Sequence, residues 1–204
     1  PATAISLVPT MLRRLLDVGW RPPGATRLVL LGGAACPPGL QREAVDRGIP
    51  IAPTFGMTET CSQICTLMPE EVDAHLGTVG RPVPGAALRI HDADGAPAAS
   101  GAVGRIWVKG PMVVGREWFE TGDLGSVDDD GYLTVAGRAD EMILTGGETV
   151  APSEIEELLV QRNDVAEAAV VGIPDPEWGE RVVAAVIAGR DHSPAPETLR
   201  DYIG

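Results

Sequence analysis

The sequence predicts an α/β region, then a β-rich region, then a small α+β domain. Short apolar runs alternate with helical patterns through residues 1–76, β-like runs separated by Gly, Pro and Asp occupy 77–139, and a second α+β pattern follows in 140–204. We therefore expect one large domain, 1–139, whose second half is a small antiparallel sheet or barrel. Residues 140–204 would form the start of a small C-terminal domain.

The α/β region contains three predicted strands, at residues 5–8, 28–31 and 49–52. The first helix begins at Pro9 and turns one apolar face to the core, formed by Met11, Leu12, Leu15 and Leu16. The second helix covers 38–47. This spacing of strand, helix and strand is typical of parallel sheets.

The β-rich region contains predicted strands at 86–91, 103–109, 124–127 and 132–136, and the last two form a hairpin across Asp128–Gly131. In the terminal domain we expect strands at 142–145, 168–173 and 182–188. Helices are expected at 153–161 and 196–203. Ser153 and Glu156 have the spacing of a capping box, ahead of an apolar face of Ile155, Leu158 and Leu159.

Composition excludes several classes of function. The chain has 204 residues, of which 44% are hydrophobic, so it can bury a core. Its net charge of -13, without a cluster of Lys or Arg, argues against a nucleic-acid partner. No apolar run approaches the ~20 residues of a membrane span, and we expect a cytoplasmic protein. Cys36, Cys61 and Cys65 form no zinc pattern, although the last two have helical i, i+4 spacing, and small buried hydrophobes are the better interpretation.

Two segments after predicted strands could bind a ligand. Thr58 and Glu59, in the run 54–60, could serve a phosphate and its Mg²⁺, or they could simply start a helix with Thr58 as the cap. Gly32 and Gly33 would let a ligand approach the backbone, although a glycine pair there is more often a turn.

Three further places have both a functional and an ordinary explanation. Asp123 could accept hydrogen bonds from two ribose hydroxyls, or it could bond its own backbone in a turn. Arg138 could bind a phosphate or a ribose oxygen, and Asp140 could absorb a rotation of the backbone. Alternatively, the two could form a surface ion pair. The pair Gly146 and Gly147 could line a narrow channel or form a turn.

The order of these segments resembles the adenylate-forming superfamily, which contains acyl-CoA synthetases, peptide-synthetase adenylation domains and luciferases. The resemblance covers residues 30–181. It is carried by FGMTET, GTVGRPVPG, GRIWVKGP, WFETGDLG, GRADEMILTGGETVAPSEIE and PDPEWGE. The resemblance implies the C-terminal portion of that fold. It also implies an AMP-forming acid–thiol ligase that uses ATP, Mg²⁺ and coenzyme A.

The resemblance also implies roles for the matching residues. Thr58 and Glu59 would handle phosphate oxygens and Mg²⁺, Asp123 the ribose hydroxyls, and Arg138 the ribose or a phosphate. The walls around adenine and the acyl group would be formed by Gly33, Ala34 and Phe55.

In the small domain, the resemblance makes Asp140 the hinge about which that domain rotates between the two half-reactions. Gly146 and Gly147 would lie beside the pantetheine tunnel. Trp178 would offer a flat surface to the adenine of CoA, and the alternative is a partly buried packing residue.

The acid and the completeness of the site are further expectations. The run 55–63 resembles the equivalent stretch in o-succinylbenzoate-CoA ligases of menaquinone biosynthesis, so Ser62 and Gln63 would bind a polar aromatic diacid. The alternative is that both residues lie in the first turns of a helix and face solvent. The sequence lacks a Gly-, Ser- and Thr-rich phosphate loop, ends before the family's C-terminal lysine and is short between Gly110 and Trp118, so we expect a piece of a larger protein.

Three other functions stay open at this point. The acid could be a fatty or aryl acid. The acceptor could be a carrier-protein thiol, although Glu148 and Trp178 favour the CoA ligases. The fold could also persist as a nucleotide-binding module without catalysis.

Overall fold

The computed structural model describes residues 2–115, 117–189 and 192–203, so Arg116, in the short span after Gly110, lies outside the described residues. The chain forms two compact units, Pro1–Val135 and Ala136–Gly204. The division falls a few residues before the boundary at 140 that the sequence predicts. No helix in the described ranges is long and apolar enough to cross a membrane.

The first unit begins with a five-stranded sheet of order β1-β2-β3-β4-β5. Strands β1 (Ala4–Leu7), β2 (Leu28–Leu31) and β3 (Ile51–Gly56) are parallel, as the sequence predicts. Strands β4 (Gln63–Thr66) and β5 (Arg81–Pro82) then continue the sheet in antiparallel fashion. The carboxyl ends of three parallel strands therefore lie along one edge.

Two helices cover this sheet, and both begin with proline in the first turn. In α1 (Pro9–Asp17), Leu12 and Leu16 are buried, but Met11 is 50% exposed. The prediction for Met11 was wrong because the buried stripe of this short helix follows the i, i+4 pair. Helix α2 covers Pro38–Asp46.

Strand β3 begins at Ile51, two residues later than predicted. The Ile49 N–H donates to the Ala44 carbonyl at 3.0 Å and so closes the end of α2. Pro50 has no N–H for a sheet ladder. The strand instead runs on to Gly56, so 54–56 belong to the strand and not to the loop after it.

The second sheet has the order β6-β7-β8-β9, with antiparallel pairing of β6 with β7 and of β7 with β8. Its strands are β6 (Ala87–His91), β7 (Gly104–Lys109), β8 (Phe119–Val127) and β9 (Leu133–Arg138). The expected β8–β9 turn forms, and Asp128 Oδ1 accepts from the Asp130 and Tyr132 N–H groups at 3.0 and 2.8 Å. Strand β8 begins earlier than predicted, at Phe119.

The second unit contains a sheet of order β11-β10-β13-β12 and two helices. The elements are β10 (Ile143–Thr145), β11 (Glu148–Val150), α3 (Pro152–Val160), β12 (Val165–Asp175), β13 (Gly179–Ala188) and α4 (Pro196–Ile203). A small core joins the sheet to α3, formed by Ile143, Leu159, Val165 and Val170.

The capping box predicted for α3 is wrong. The cap residue is Ala151, because Pro152 suits the first helical position and shifts the start of the helix. Ser153 Oγ instead donates to the Ala136 carbonyl at 2.9 Å, and Glu156 Oε1 accepts from the Val170 N–H at 2.7 Å. Leu158, expected on the apolar face, is exposed.

Candidate functional site

A cavity of about 300 Å³ lies at the carboxyl ends of the parallel strands in the first unit. It is lined by Ser6, Leu30, Gly32, Gly33, Thr54, Gly56, Met57, Ser62 and Gln63. Four residues that the sequence singled out, Gly32, Gly33, Ser62 and Gln63, therefore meet at one place. Ligands of open α/β sheets bind at this edge, so the cavity is the candidate substrate site of this unit.

The glycine edge of the cavity has a steric reason. A Cβ atom at Gly32 would lie 2.6 Å from Thr54 Oγ1, which donates to the Leu31 carbonyl at 3.1 Å. Gly33 has φ +82°, a conformation that side chains rarely adopt. The pair therefore lies at a bend of the backbone after β2 that also lines the cavity, and its role in binding a ligand stays a prediction.

Gly56 allows the wall of the cavity that contains Ser62 to approach strand β3 closely. A Cβ at this position would lie 2.1 Å from the Ser62 carbonyl oxygen, which any side chain would have to displace. The register of β3 and β4 shifts between Phe55 and Gly56, so the pairing contains a bulge here. As a result Ser62 and Gln63 enter the cavity from a tight hairpin, and the expectation that they could lie in a helix is wrong.

A single 3-10 turn, Thr58–Thr60, connects the two strands. Buried Thr60 holds it, because its Oγ1 accepts from the Met57 N–H at 3.0 Å and donates to the Ser62 carbonyl at 2.6 Å. Thr58 and Glu59 are exposed on the turn and do not line the cavity. The residue before the turn, Met57, is its cap, so the alternative in which Thr58 caps a helix is wrong.

The turn is also fixed from the neighbouring segment. The Val114 N–H donates to the backbone carbonyl of Glu59 at 2.8 Å. Glu59 itself is exposed. An exposed hydroxyl and an exposed carboxylate on adjacent residues, Thr58 and Glu59, provide hard oxygen donors beside the cavity turn.

Phe55 and Ala34 lie apart from the cavity lining. Along β3, Thr54 and Gly56 face the cavity, so the side chain between them points to the other side of the sheet. Phe55 accordingly packs against the second core of this unit, which includes Ile64 and Cys65. Ala34 is exposed just after the glycine edge.

Asp123 lies in the middle of β8 and is only 9% exposed. Its N–H donates to Thr121 Oγ1 at 3.1 Å, and that hydroxyl donates to the Ile106 carbonyl at 3.1 Å. Asp123 is therefore a strand residue, and the alternative of a turn aspartate is wrong. It is not among the residues that line the cavity.

The three cysteines differ in burial, and Cys36 is only partly buried. Cys65 is fully buried in β4, and burial raises the pKa of its thiol to about 12, as expected for a small hydrophobe. Cys61 is exposed and has φ +57°, so its expected burial was wrong, and the pair lies on a turn and a strand despite its i, i+4 spacing. Among the described residues, no group of three or more His, Cys, Asp or Glu side chains could hold a metal ion.

In the second unit, Arg138 and Asp140 are exposed neighbours. Arg138 Nε donates to Asp140 Oδ1 at 3.1 Å. This hydrogen bond is the main reason why the pKa of the Asp140 carboxyl lies below its ordinary value. The surface ion pair thus forms.

Gly146 and Gly147 make the β10–β11 hairpin turn, with φ of +60° and +89°. The Gly146 N–H donates to the Trp178 carbonyl at 2.9 Å. A Cβ at Gly146 would lie 2.8 Å from Trp178 Cε3 and 2.9 Å from Cζ3. Trp178 nevertheless remains 52% exposed, so its ring packs on glycine and still offers open surface.

Five residues that line the cavity were given no individual role by the sequence: Ser6, Leu30, Thr54, Gly56 and Met57. Ser6 had a usable signal, because it alternates with the more buried Ile5 and Leu7 in β1. Thr54, Gly56 and Met57 lie within the run 54–60 that the sequence singled out, and their contact with the cavity depends on how far β3 extends.

Comparisons with known proteins show the family to which the chain belongs. The AMP-binding enzyme family matches residues 1–116, and the AMP-binding enzyme C-terminal domain matches 154–204. A 2-succinylbenzoate–CoA ligase from Bacillus licheniformis is 40% identical over 200 residues, which are 91% of this chain and 42% of that protein. The chain therefore spans less than half the length of this relative.

Two solved structures are similar throughout the chain. The o-succinylbenzoate CoA synthetase from Bacillus subtilis in complex with its acyl-adenylate intermediate has a TM-score of 0.89 at 38% identity, and the match covers 98% of this chain and 44% of that one. The same enzyme in complex with ATP and magnesium ion has a TM-score of 0.87 at 37% identity, with the same coverage.

Proposed function

The chain belongs to the AMP-binding enzyme family, and we propose that the full protein is an ATP-dependent ligase that joins a carboxylic acid to coenzyme A. In the first half-reaction, a carboxylate oxygen attacks the α-phosphorus of ATP and pyrophosphate leaves. In the second, the sulfur of CoA attacks the acyl carbon and AMP leaves. The single observation that carries the proposal is the cavity at the strand ends, which joins the glycine edge to Ser62 and Gln63.

We further propose that the acid is o-succinylbenzoate. The cavity places a hydroxyl and an amide, Ser62 and Gln63, opposite the backbone of Gly32 and Gly33. Ser6 and Thr54 add two hydroxyl groups to the same lining, so several hydrogen-bonding partners surround the space. A site with such groups favours a diacid with a keto group over a purely apolar tail, because the carboxylate and keto oxygens can hydrogen-bond to these side chains and an apolar tail cannot.

The nucleotide roles follow the motif positions and belong to the same proposal. Thr58 and Glu59 would face the phosphates from their exposed turn, and Asp123 would accept from the ribose hydroxyls. The exposed hydroxyl of Thr58 and carboxylate of Glu59 are hard oxygen donors of the kind that Mg²⁺ takes, and Mg²⁺ usually keeps several waters besides few protein ligands. When bound, Mg²⁺ would offset the negative charge of the phosphates. Arg138 would donate to a phosphate or to the ribose.

The acceptor roles are proposed for the second unit. Asp140 would be the hinge residue, Gly146 and Gly147 would flank the pantetheine arm, and Trp178 would pack against the adenine of CoA. A cytoplasmic location belongs to the same proposal, because the reaction consumes ATP and CoA.

The test is mass spectrometry of the full-length protein with ATP, Mg²⁺, CoA and separate acids. We expect o-succinylbenzoyl-CoA and AMP, with a much larger kcat/KM for o-succinylbenzoate than for benzoate or a medium-chain fatty acid. Ser62→Ala and Gln63→Ala should each raise KM for the acid roughly tenfold, since each removes about one hydrogen bond. Ser100→Ala, at an exposed serine in another loop, is the matched control.

Other outcomes would separate the alternatives. Equal turnover of a fatty acid would refute o-succinylbenzoate as the specific acid but would still support an acid–CoA ligase. Adenylate formation without CoA transfer would favour a carrier-protein acceptor, and failure to form any adenylate would favour a nucleotide-binding module.

A further inference from the structure

The turn that carries Trp178 is built around one carboxylate. Asp175 Oδ1 accepts from the Glu177 N–H at 2.9 Å and from the Trp178 N–H at 3.0 Å. Its other oxygen, Oδ2, lies 2.5 Å from Arg181 Nη2, and the side chain is only 7% exposed. The two backbone bonds, that of Trp178 first, hold the pKa of Asp175 below its ordinary value.

Flanking prolines determine which backbone donors the turn offers to this carboxylate. Pro174 and Pro176 have no N–H, so Glu177 and Trp178 supply the backbone donors between Asp175 and the start of β13. Asp175 accepts from both. Its charge makes these hydrogen bonds stronger than those of a neutral acceptor.

The far side of the turn is tied to β10. The Gly146 N–H donates to the Trp178 carbonyl at 2.9 Å, and the Leu144 N–H donates to Glu180 Oε2 at 2.7 Å. Thr145 pairs with Gly179 in the sheet. The Trp178 backbone is therefore bonded on both sides, through its N–H to Asp175 and through its carbonyl to the glycine hairpin.

We propose that Asp175 is a positioning residue for CoA, because it holds the turn that keeps the Trp178 ring against Gly146. This inference rests on the proposed function. Asp175 would not contact CoA itself. Without its carboxylate, the Trp178 N–H loses its acceptor and the indole leaves its site on the glycine.

The test is a double-mutant cycle in the full-length protein. Asp175→Ala should raise KM for CoA roughly tenfold, the loss expected for a hydrogen bond to a charged group, and should leave ATP–pyrophosphate exchange unchanged. In the Trp178→Ala background, Asp175→Ala should raise KM for CoA no further. Asp175→Asn keeps an acceptor for the two N–H groups and should recover most of the affinity.

The matched control is Asp164→Ala, which removes an Asp–Arg pair with Arg162 in the same unit and leaves the Trp178 turn intact. It should not change KM for CoA. If Asp175→Ala raised KM for CoA equally in the wild-type and the Trp178→Ala proteins, the inference would be overturned, but the proposed ligase function would not be contradicted.

A second measurement is independent of thioester formation. Acrylamide quenching of the Trp178 fluorescence, taken as the difference from Trp178→Phe, should increase in Asp175→Ala. If the wild-type protein forms no thioester, the proposed function fails, and this quenching alone decides whether Asp175 positions Trp178. Unchanged quenching would refute the positioning role.

Discussion

Gly146 and Trp178 pack so closely that a Cβ atom on residue 146 would lie 2.8 Å from Trp178 Cε3. The hairpin glycine and the indole of the following β-hairpin therefore form a matched pair within the second unit. A substitution at either residue should therefore alter the packing of the other.

The first prediction follows from this contact. Gly146→Ala should destabilise the protein by more than Gly147→Ala, although both place a side chain at positive φ. The backbone strain alone is worth about 1–2 kcal/mol, and Gly147 has no atom within 4 Å of its added Cβ. Urea unfolding followed by tryptophan fluorescence measures the difference. Equal losses would mean that the ring moves aside without cost.

The second prediction concerns Asp123. In the full-length protein, Asp123→Ala should raise KM for ATP at least tenfold, because hydrogen bonds to a charged group are worth roughly 1.5–3 kcal/mol each. Asp129→Ala removes an exposed aspartate in the turn after the same strand and should leave KM for ATP unchanged. Initial-rate kinetics with varied ATP decide the matter, and unchanged kcat and KM would exclude a ribose-binding role.

The third prediction tests the hinge. Asp140→Pro should slow thioester formation far more than adenylation, because proline fixes φ and hinders the rotation between the two half-reactions. Asp140→Ala removes the ion pair with Arg138 but keeps the backbone free, so it should slow thioester formation much less. Single-turnover assays separate the steps. Equal loss of both steps in Asp140→Pro would indicate misfolding instead of a hinge.

The fourth prediction is a pH dependence of stability. Glu71 Oε1 accepts from Tyr132 Oη at 2.9 Å and from Arg81 Nη2 at 2.7 Å. The hydrogen bond from Tyr132 is the largest cause that holds the pKa of Glu71 below its ordinary 4.5. The pKa of Tyr132 is raised, first by burial and then by its hydrogen bond to Glu71. A folded-state pKa below the unfolded one means that this stability is present above about pH 4.5 and is lost as the pH falls through the folded value.

Tyr132→Phe should therefore be less stable than wild type at neutral pH, and the difference should shrink as the pH falls through this range. Tyr202→Phe changes the only other tyrosine, which is exposed in α4, and should show no such trend. Urea unfolding at a series of pH values measures both variants. A difference that stays constant with pH would show that Glu71 is not responsible.

Much of the architecture follows from local signals in the sequence. The predicted bounds of β2 and α4 match the structure, because an apolar run before a glycine pair and a helix that starts at proline leave little freedom. The start of α3 was misread because Pro152 and Ser153 each suit a helix start, and the proline determines it.

Strand pairings that depend on contacts distant in the sequence were harder to predict from local patterns. Strand β4 follows a bulge beside Gly56, and β11 follows the glycine pair at 146 and 147, so both depend on a turn geometry that periodicity does not describe. Ser62 and Gln63 were selected because they follow a recognisable motif, whereas Ser6 was missed although its alternation with Ile5 and Leu7 in β1 was a usable signal. The network of Asp175 was hidden because a Pro-Asp-Pro run indicates a turn without saying which donors the carboxylate accepts.

The contact between Gly56 and the Ser62 carbonyl has a consequence for redesigning the acid preference. The main chain of this wall cannot retreat, because Thr60 bonds the same Ser62 carbonyl from inside the turn. A mutant library aimed at new acids should therefore randomise Ser6, Ser62 and Gln63 while Gly56 and Thr60 stay fixed. New specificities would then arise from exchanged side chains on an unaltered cavity wall.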